Sequence, residues 1–378
     1  MRRVLTEHLR TGDRIGRDIL SHFDETPLLR AGTRVSESYR QSLLRSSITS
    51  VWVDDGLSDG IEPLEVLGEN TKRRASAAIH QAFRDISRSF VVGRSLTRET
   101  AGEMRKVAEL ICADVTANVH SALALNDLAS ADGYTMRHSL AVTALGLSLG
   151  LRVMRKFGWV DDQGNRRFDN IDRRLSMLGV GLLLHDIGKL AVPSAILRKT
   201  GPLTEEEWTA MRSHPDMGVR ILQQADGISA VSRAVVRSHH ERWDGGGYPA
   251  GIVGAEIHQF ARIASVADVF DALTSDRSYR RALPAHDGWA FIVSRSGSDF
   301  DPEVVEVFAS SVAPHPPGTG VVLSDGRFGI VKDVRPAAVM QPIVRLISGE
   351  GESAPAVGAE IDLSQCPGLT IVSAEFVP

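Results

Sequence analysis

The feature that most limits the fold of this chain is a long helical periodicity in its middle. Between residues 99 and 308, apolar side chains recur at three- and four-residue spacing, and strand signals are few. Such spacing is typical of amphipathic helices that bury one face in a shared core. The pattern therefore predicts a helical bundle over residues 99–313, within a chain of 378 residues that has room for two or three domains.

The sequence on either side of the bundle has a different texture. Residues 1–65 alternate short apolar stretches with turns, which predicts a small α+β unit with regulatory character. Residues 66–98 are rich in Lys, Arg and Ala and predict a helical connector. Residues 314–378 contain strand-like segments separated by Gly, Pro, Ser and Asp, which predicts a small β unit. We therefore predict a mainly α chain with two small flanking units.

One stretch interrupts the helical pattern inside the bundle. The sequence FGWVDDQGNRRF, residues 157–168, has aromatic ends and a polar centre with turn residues. It predicts a charged loop or a short hairpin between two helices. We interpret it as a surface insertion, because loops tolerate additions, and its role stays open.

Charge and cysteine content restrict the partners and the compartment. With 43 Lys and Arg against 47 Asp and Glu, the chain has no basic field that would attract duplex nucleic acid. Cys112 and Cys366 are too few and too far apart for a disulfide framework, which predicts a reducing, cytoplasmic setting. The first twenty residues lack an apolar signal segment. The uncharged stretch 139–151 is shorter than the ~20 residues of a membrane helix, so no membrane association is expected.

Ionisable residues stand at the ends of apolar stripes in the bundle. The segment at residues 175–190 predicts a helix that brings His185, Asp186 and Lys189 close to one face, since residues three or four apart are neighbours there. A second stripe, over residues 228–243, continues into His239 and His240. Both imidazoles are therefore expected to face inward.

Three further residues extend this pattern. Asp268 stands among alanines on a third predicted helix, and His138 and His214 lie on or at the start of two others. Each histidine taken alone is most often an ordinary core or surface residue. Several buried ionisable groups need a common partner, however, and a divalent metal is the simplest one. Imidazole and carboxylate suit Fe, Mn, Zn or Ni, and the absence of a nearby cysteine argues against a thiolate zinc site.

Two motifs in order connect the chain to a known family. HDIGK at residues 185–189, followed by HHERWDGGGYP at residues 239–249, closely resembles the paired signature of HD-GYP domains. These domains are a branch of the HD phosphohydrolase superfamily that degrades cyclic di-GMP. The resemblance covers about residues 132–284, including DGYTMRHS, the His-Pro pair at residues 214–215 and ARIASVADVFDALTSDRSYRRALP. It implies that the bundle has the HD-type arrangement.

The resemblance also implies a set of metal ligands, in which Asp186 bridges two ions. The matching positions are His138, His185, Asp186, His214, His239, His240 and Asp268. Family members that hold three metals carry a Glu one helical turn before the first His, where this chain has Tyr134. We therefore expect two divalent transition metals, with iron and manganese best suited to such a site.

Further positions match residues with roles in catalysis and substrate binding. Lys189 and Asp186 are the implied catalytic residues, with a hydroxide activated by the two metals as nucleophile. The implied substrate-binding residues are Arg277, Arg280, Gly247, Tyr248 and Pro249. In supporting roles, we expect Asp244 to orient a neighbouring ligand, and Asp271 to pair with Lys189 or to offset local charge.

The resemblance implies a cyclic di-GMP phosphodiesterase that opens the cyclic dinucleotide to pGpG; whether it continues to GMP stays open. One alternative is an HD phosphohydrolase for another cyclic or linear nucleotide. Another is a catalytically silent scaffold that binds cyclic di-GMP, or a signalling partner through the GYP loop or the flanking units. A scaffold has no need of seven groups that suit a metal, which favours the enzyme. Sequence leaves the oligomeric state open.

Overall fold

The structure, a computed structural model, describes residues 1–20, 27–46, 48–63, 65–91, 97–118, 133–199, 201–223, 225–275, 282–348 and 358–374. Helices dominate these residues, and short sheets stand at both ends of the chain. This confirms the predicted mainly α fold class. None of the helices described is long and apolar enough to cross a membrane.

The N-terminal part contains two small antiparallel strand pairs and one helix. Its elements are β1 (Arg2–Leu5), β2 (Ile19–Leu20), β3 (Pro27–Leu29), α1 (Glu37–Arg45) and β4 (Ser50–Val53). Strand β1 pairs with β4, and β2 pairs with β3. Helix α1 begins after Ser36, whose hydroxyl accepts a hydrogen bond from a backbone N–H of the first turn and so caps the helix.

The central part is a bundle of helices with one inserted hairpin. Its elements are α2 (Glu69–Val91), α3 (Arg98–Ala117), α4 (Gly133–Phe157), β5 (Trp159–Val160), β6 (Arg166–Arg167), α5 (Ile171–Leu184), α6 (Ser194–Leu197), α7 (Glu205–Arg212), α8 (His214–Gln223), α9 (Ala230–Ser238), α10 (Gln259–Thr274), α11 (Ala285–Ser294) and α12 (Pro302–Ser311). Helix α4 lies at the centre and contacts α3, α5, α10 and α12. Its apolar side chains between Leu140 and Met154 are buried, so the metal-compatible residues nearby lie in an apolar core.

The insertion at residues 157–168 forms the β5–β6 hairpin, which is tied to the bundle. The indole N–H of Trp159 donates to the carbonyl of Asp169 at 2.7 Å. The side chain of Gln259, at the start of α10, donates to the Gly158 carbonyl and accepts from the Val160 N–H. The hairpin is therefore anchored on α10 at its base.

The C-terminal part is a five-stranded antiparallel sheet. Its strands are β7 (Gly320–Leu323), β8 (Phe328–Asp333), β9 (Ile343–Ser348), β10 (Glu360–Asp362) and β11 (Ile371–Ser373). They are ordered β10-β9-β8-β7-β11. The N–H of Arg3 donates to the Gly318 carbonyl at 3.0 Å, so strand β1 contacts the segment that leads into this sheet.

Two helices end earlier than the spacing predicted. The helix predicted through Lys189 ends at Leu184, and a 3-10 helix, Ile187–Ala191, continues the chain. Helix α9 ends at Ser238, so the two histidines that follow lie in a turn. Both corrections share a cause. The histidine side chains reach the core from residues that follow the last helical turn, where the helical period no longer determines which way a side chain points.

The 3-10 helix lies directly on the start of α8. A Cβ atom at Gly188 would lie 1.8 Å from the carbonyl oxygen of His214 and 2.5 Å from the backbone nitrogen of Gly218. Only glycine permits this approach, because backbone atoms cannot move aside as a flexible side chain can. The contact holds the segment after α5 against the first residue of α8.

We predict that Gly188→Ala lowers the free energy of unfolding by about 1 to 3 kcal/mol, because the methyl group overpacks a backbone contact. Chemical denaturation measures the change. Gly102→Ala is the matched control, since a Cβ at that helical position meets nothing within 4 Å. Equal stability of the Gly188 variant and the native chain would contradict this account of the packing.

Candidate metal centre

The seven predicted metal ligands meet at one place in the bundle. They come from α4 (His138), the turn after α5 (His185 and Asp186), the first residue of α8 (His214), the turn after α9 (His239 and His240) and α10 (Asp268). All but His240 are buried. Five elements of the core are therefore required to assemble the cluster.

Asp186 is shared by two groups of candidate ligands. The first group is His138, His185 and Asp186, and the second is Asp186, His214, His239 and His240. Within each group the ligand atoms lie within 4.8 Å of one another. The two carboxylate oxygens of Asp186 face different groups, which is the arrangement expected of a bridging carboxylate.

The distances around Asp186 show this division. Its Oδ2 lies 3.4 Å from Nε2 of His185 and 3.7 Å from Nε2 of His138. Its Oδ1 lies 3.5 Å from Nε2 of His214 and 4.0 Å from Nε2 of His239. These four Nε2 atoms are thus divided between the two oxygens of one carboxylate, whereas His240 faces Asp268, with its Nδ1 3.7 Å from Oδ2.

Three of these histidines are oriented by the helix that each one follows. The Nδ1 atoms of His185, His214 and His239 contact the carbonyl oxygens of Leu182, Met211 and Val236, at 2.7, 2.8 and 3.0 Å. In each case the carbonyl belongs to the third residue before the histidine, where a helix end leaves carbonyls without an intrahelical partner. A carbonyl oxygen only accepts, so Nδ1 carries the proton and Nε2 directs its lone pair inward.

His138 is oriented by a carboxylate instead. Its Nδ1 lies 2.7 Å from Oδ2 of Asp271, and its Nε2 lies 3.1 Å from Oδ1 of Asp268. Burial opposes a charge on this ring, but the hydrogen bonds to Asp268 and Asp271 raise the pKa of His138 to about 9. A positive charge, whether a proton or a metal ion, is therefore favoured between His138 and its carboxylates.

The second group consists of neutral imidazoles. Burial lowers the pKa of His214, and burial together with the neighbouring His240 lowers the pKa of His239 well below its usual value. Burial also lowers the pKa of His240 to about 3. Neutral imidazole is the form that ligates a metal, so these side chains need no deprotonation near pH 7.

Asp186 remains ionised despite its burial. Burial alone would raise its pKa, but the Lys189 ammonium, 2.6 Å from Oδ2, and the nearby His185 and His214 keep the pKa of Asp186 well below its usual value. Its Oδ1 is buried and accepts no hydrogen bond from the residues described. An unsatisfied buried carboxylate oxygen is costly. A divalent cation would satisfy this oxygen and the inward Nε2 lone pairs together, so the residues fit a metal centre.

The supporting residues differ from expectation in two respects. Lys189 contacts Asp186, not Asp271, because Asp271 is taken by Nδ1 of His138. Asp244 contacts none of the candidate ligands described: it is exposed and accepts a hydrogen bond from the Gly246 N–H at 2.8 Å, which shapes the loop. Arg277 and Arg280 lie outside the described residues.

The GYP loop packs onto the metal centre through Tyr248. The ring of Tyr248 stacks on that of His240, with centroids 4.7 Å apart and an angle of 26°. The Tyr248 N–H donates to the His240 carbonyl. A Cβ at Gly247 would lie 2.3 Å from the backbone nitrogen of Arg242, so the loop folds back on itself only with glycine there. Pro249 follows and is partly buried.

Sequence reasoning assigned no role to Glu241, which the structure places at the centre of this loop. Its buried carboxylate accepts hydrogen bonds from the N–H groups of Ala250 and Gly251, at 2.7 and 3.0 Å. Glu241 thereby holds the residues after the Tyr-Pro pair against the turn that carries His239 and His240. A charged residue directly after two inward histidines was the available signal.

Comparison with known proteins identifies the family of this chain. The model of the HD domain family matches residues 167–304. A Pseudomonas aeruginosa protein named cyclic di-GMP phosphodiesterase is 31% identical over 357 residues, which cover 87% of this chain and 81% of that protein. This chain belongs to the HD-GYP family. Six of the seven residues of the cluster lie within the range that the HD domain model matches, and His138 precedes it.

Two other relatives of this HD-GYP protein match its central region. A Thermotoga maritima protein named cyclic di-GMP phosphodiesterase is 44% identical, over 33% of this chain and 34% of its own length. A Vibrio cholerae protein named 3'3'-cGAMP-specific phosphodiesterase 3 is 43% identical, over 32% of this chain and 26% of its own length. The chain thus spans about a third or less of the length of each relative. The two identities are nearly equal, so they do not indicate which of the two substrates fits this chain.

We predict that Asp271→Asn lowers the affinity of the centre for Mn²⁺ about tenfold, because the amide no longer offers a charge to Nδ1 of His138. Isothermal titration of the purified chain with Mn²⁺ measures this. Asp244→Asn serves as the control, since that carboxylate is exposed and binds only a loop N–H. An unchanged affinity in the Asp271 variant would show that the carboxylate does not support the ligand.

Proposed function

We propose that this HD-GYP protein is a metal-dependent phosphodiesterase that hydrolyses cyclic di-GMP to pGpG. The observation that carries the proposal is the position of Asp186, whose two oxygens face two groups of inward imidazoles. The Pseudomonas relative, which matches most of the chain, supports the choice of substrate through its name.

We propose two divalent ions, iron or manganese, because imidazole with carboxylate suits both. His138, His185 and Asp268 would hold one ion and His214, His239 and His240 the other, with Asp186 between them. Bound ions of this kind lower the pKa of water and offset charge on a phosphodiester. The chain supplies the ionised carboxylates and the neutral imidazoles that such ions require.

Lys189 is the proposed catalytic residue beyond the ligands. Its ammonium lies 2.6 Å from Asp186 and its side chain is 30% exposed, so it reaches from the buried cluster towards solvent. It would offer donors to a non-bridging phosphate oxygen or to the leaving 3'-oxygen. Tyr248, which stacks on His240, and the rest of the GYP loop would contact a base. Arg277 and Arg280 keep the phosphate-binding role implied by their motif.

Two other functions are distinguishable from this one. One is hydrolysis of another cyclic or linear nucleotide; the Vibrio relative, whose name gives 3'3'-cGAMP as its substrate, supports the cyclic case. A silent scaffold has no use for an unsatisfied carboxylate oxygen among inward imidazoles. We therefore retain the other nucleotide as the second candidate.

The flanking parts are proposed to regulate the bundle. Three separate apolar clusters support a division near residues 65 and 313: one lies within residues 4–53, one within 66–312 and one within 313–363. The free thiols of Cys112 and Cys366 support a reducing setting, the cytoplasm. Signalling partners of the flanks and self-association remain proposals without a specific contact.

The direct test is to incubate the full chain, loaded with Mn²⁺ or anaerobically with Fe²⁺, with cyclic di-GMP. We expect pGpG to appear with time and chelation to stop its formation. Parallel reactions with 3'3'-cGAMP and linear nucleotides identify the substrate, and the appearance of GMP shows whether a second bond is cut. Turnover that survives exhaustive chelation would refute the metal-dependent mechanism.

Two variants separate metal binding from catalysis. Asp186→Ala should lose both ions, because one carboxylate serves both groups. Lys189→Ala should keep its metal content and lose turnover on the order of a hundredfold, as expected for one lost transition-state donor. Lys156→Ala, which removes an exposed lysine paired with Glu306, is the control. Mass spectrometry of metal content decides, and equal metal loss in the Asp186 and Lys189 variants would make Lys189 a structural residue.

A further inference from the structure

An aromatic and cationic surface continues outward from the metal centre. The ring of Tyr248 stacks on His240 and lies 6.4 Å, between centroids, from the ring of His214. The guanidinium carbon of Arg212 lies 5.9 Å from the centre of the Tyr248 ring and 5.6 Å from that of Trp208. Both distances are within cation–π range. The surface thus runs from a candidate ligand through Tyr248 and Arg212 to Trp208.

Helix α7 holds two of these residues in a fixed position. It begins with a capping box in which Thr204 and Glu207 exchange hydrogen bonds between side chain and backbone. Glu207 also contacts the Lys199 ammonium. Trp208 and Arg212 are four residues apart and therefore share one face of this helix. Their side chains start from an ordered element.

Trp208 and Arg212 both present groups to solvent that the packing of the fold does not use. Trp208 leaves 42% of its surface exposed, although indole is costly to leave in water. Arg212 is exposed, and no carboxylate in the described ranges pairs with it. Two neighbouring cations, in contrast, have acidic partners: Lys189 is paired with Asp186, and Arg242 lies 3.8 Å from Asp299. An aromatic face and a guanidinium with unpaired donors are therefore presented together beside the site.

This combination suits a purine base. Bases stack on indole rings and on guanidinium planes, and every purine offers a broad π face. The guanidinium fork also matches O6 and N7 of guanine, which accept two parallel hydrogen bonds. A phosphate alone would use Arg212 but would gain nothing from the exposed indole.

We propose that Trp208, Arg212 and Tyr248 form a purine-binding platform that holds one guanine of the dinucleotide while its phosphodiester lies at the metal centre. The platform rests on the proposed function, because it specifies where the substrate's base binds. A purely local role is the competing explanation. A Trp–Arg pair one turn apart would then steady α7 without contacting substrate.

The test compares KM and kcat of the metal-loaded full chain and its variants. Trp208→Ala and Arg212→Met should each raise the KM for cyclic di-GMP about tenfold, as expected for one lost stacking contact, with a much smaller change in kcat. Trp208→Phe, which retains an aromatic face, should restore KM to within about twofold of the native value. Methyl p-nitrophenyl phosphate, a diester without a purine, should show no comparable rise. Tyr39→Ala is the control, since Tyr39 is 43% exposed on α1.

A second readout does not depend on turnover. Stacking of GMP on the indole should quench tryptophan fluorescence of the native chain, and the quenching should be absent in Trp208→Phe. Unchanged KM values in Trp208→Ala, or equal quenching in Trp208→Phe, would overturn the platform. A chain that cleaves 3'3'-cGAMP but not cyclic di-GMP would refute the proposed substrate alone, because the same variants then test the platform on that dinucleotide. A chain that takes no purine dinucleotide would overturn both.

Discussion

The structure of this site depends on the burial of one carboxylate. Asp186 lies in the core with its Oδ2 on Lys189 and its Oδ1 without a hydrogen-bond donor. An ionised carboxylate in such surroundings is stable only when positive charge is close by. Lys189 provides one such charge, and the inward imidazoles on both sides provide ligands for others. The core of the bundle is therefore arranged as a cation-binding site around Asp186.

Helix ends connect this electrostatic requirement to the fold. Three histidines follow the ends of helices and bind, through Nδ1, the carbonyl of the third residue before them. The same bond uses a carbonyl of the last helical turn, fixes the tautomer and aims Nε2 at Asp186. Gly188 completes the arrangement, because it lets the turn that carries Asp186 touch the backbone at His214.

Sequence reasoning predicted the helical bundle, the flanking sheets and the residues of the cluster, because apolar periodicity and two specific motifs were both readable. It did not predict where α5 and α9 end. The apolar stripe continues past Leu184 and Ser238, whereas the backbone leaves the helix there because of contacts with other parts of the fold. It expected Asp271 to pair with Lys189 or to offset local charge, and Asp244 to orient a neighbouring ligand. The contact between Asp271 and His138 depends on the packing of α10 against α4, which local spacing does not encode. Asp244 instead bonds the N–H of Gly246 within its own loop. Glu241 escaped notice because its partners are backbone N–H groups nine and ten residues away.

The most direct test of the central claim is a crystal structure of the metal-loaded chain with anomalous diffraction measured at the absorption edge of the metal. We predict an arrangement of two anomalous peaks on either side of Asp186, one bound by Oδ2 and the other by Oδ1, with Nε2 as the ligand atom of His185, His214 and His239. A single peak, or a metal bound away from Asp186, would contradict it.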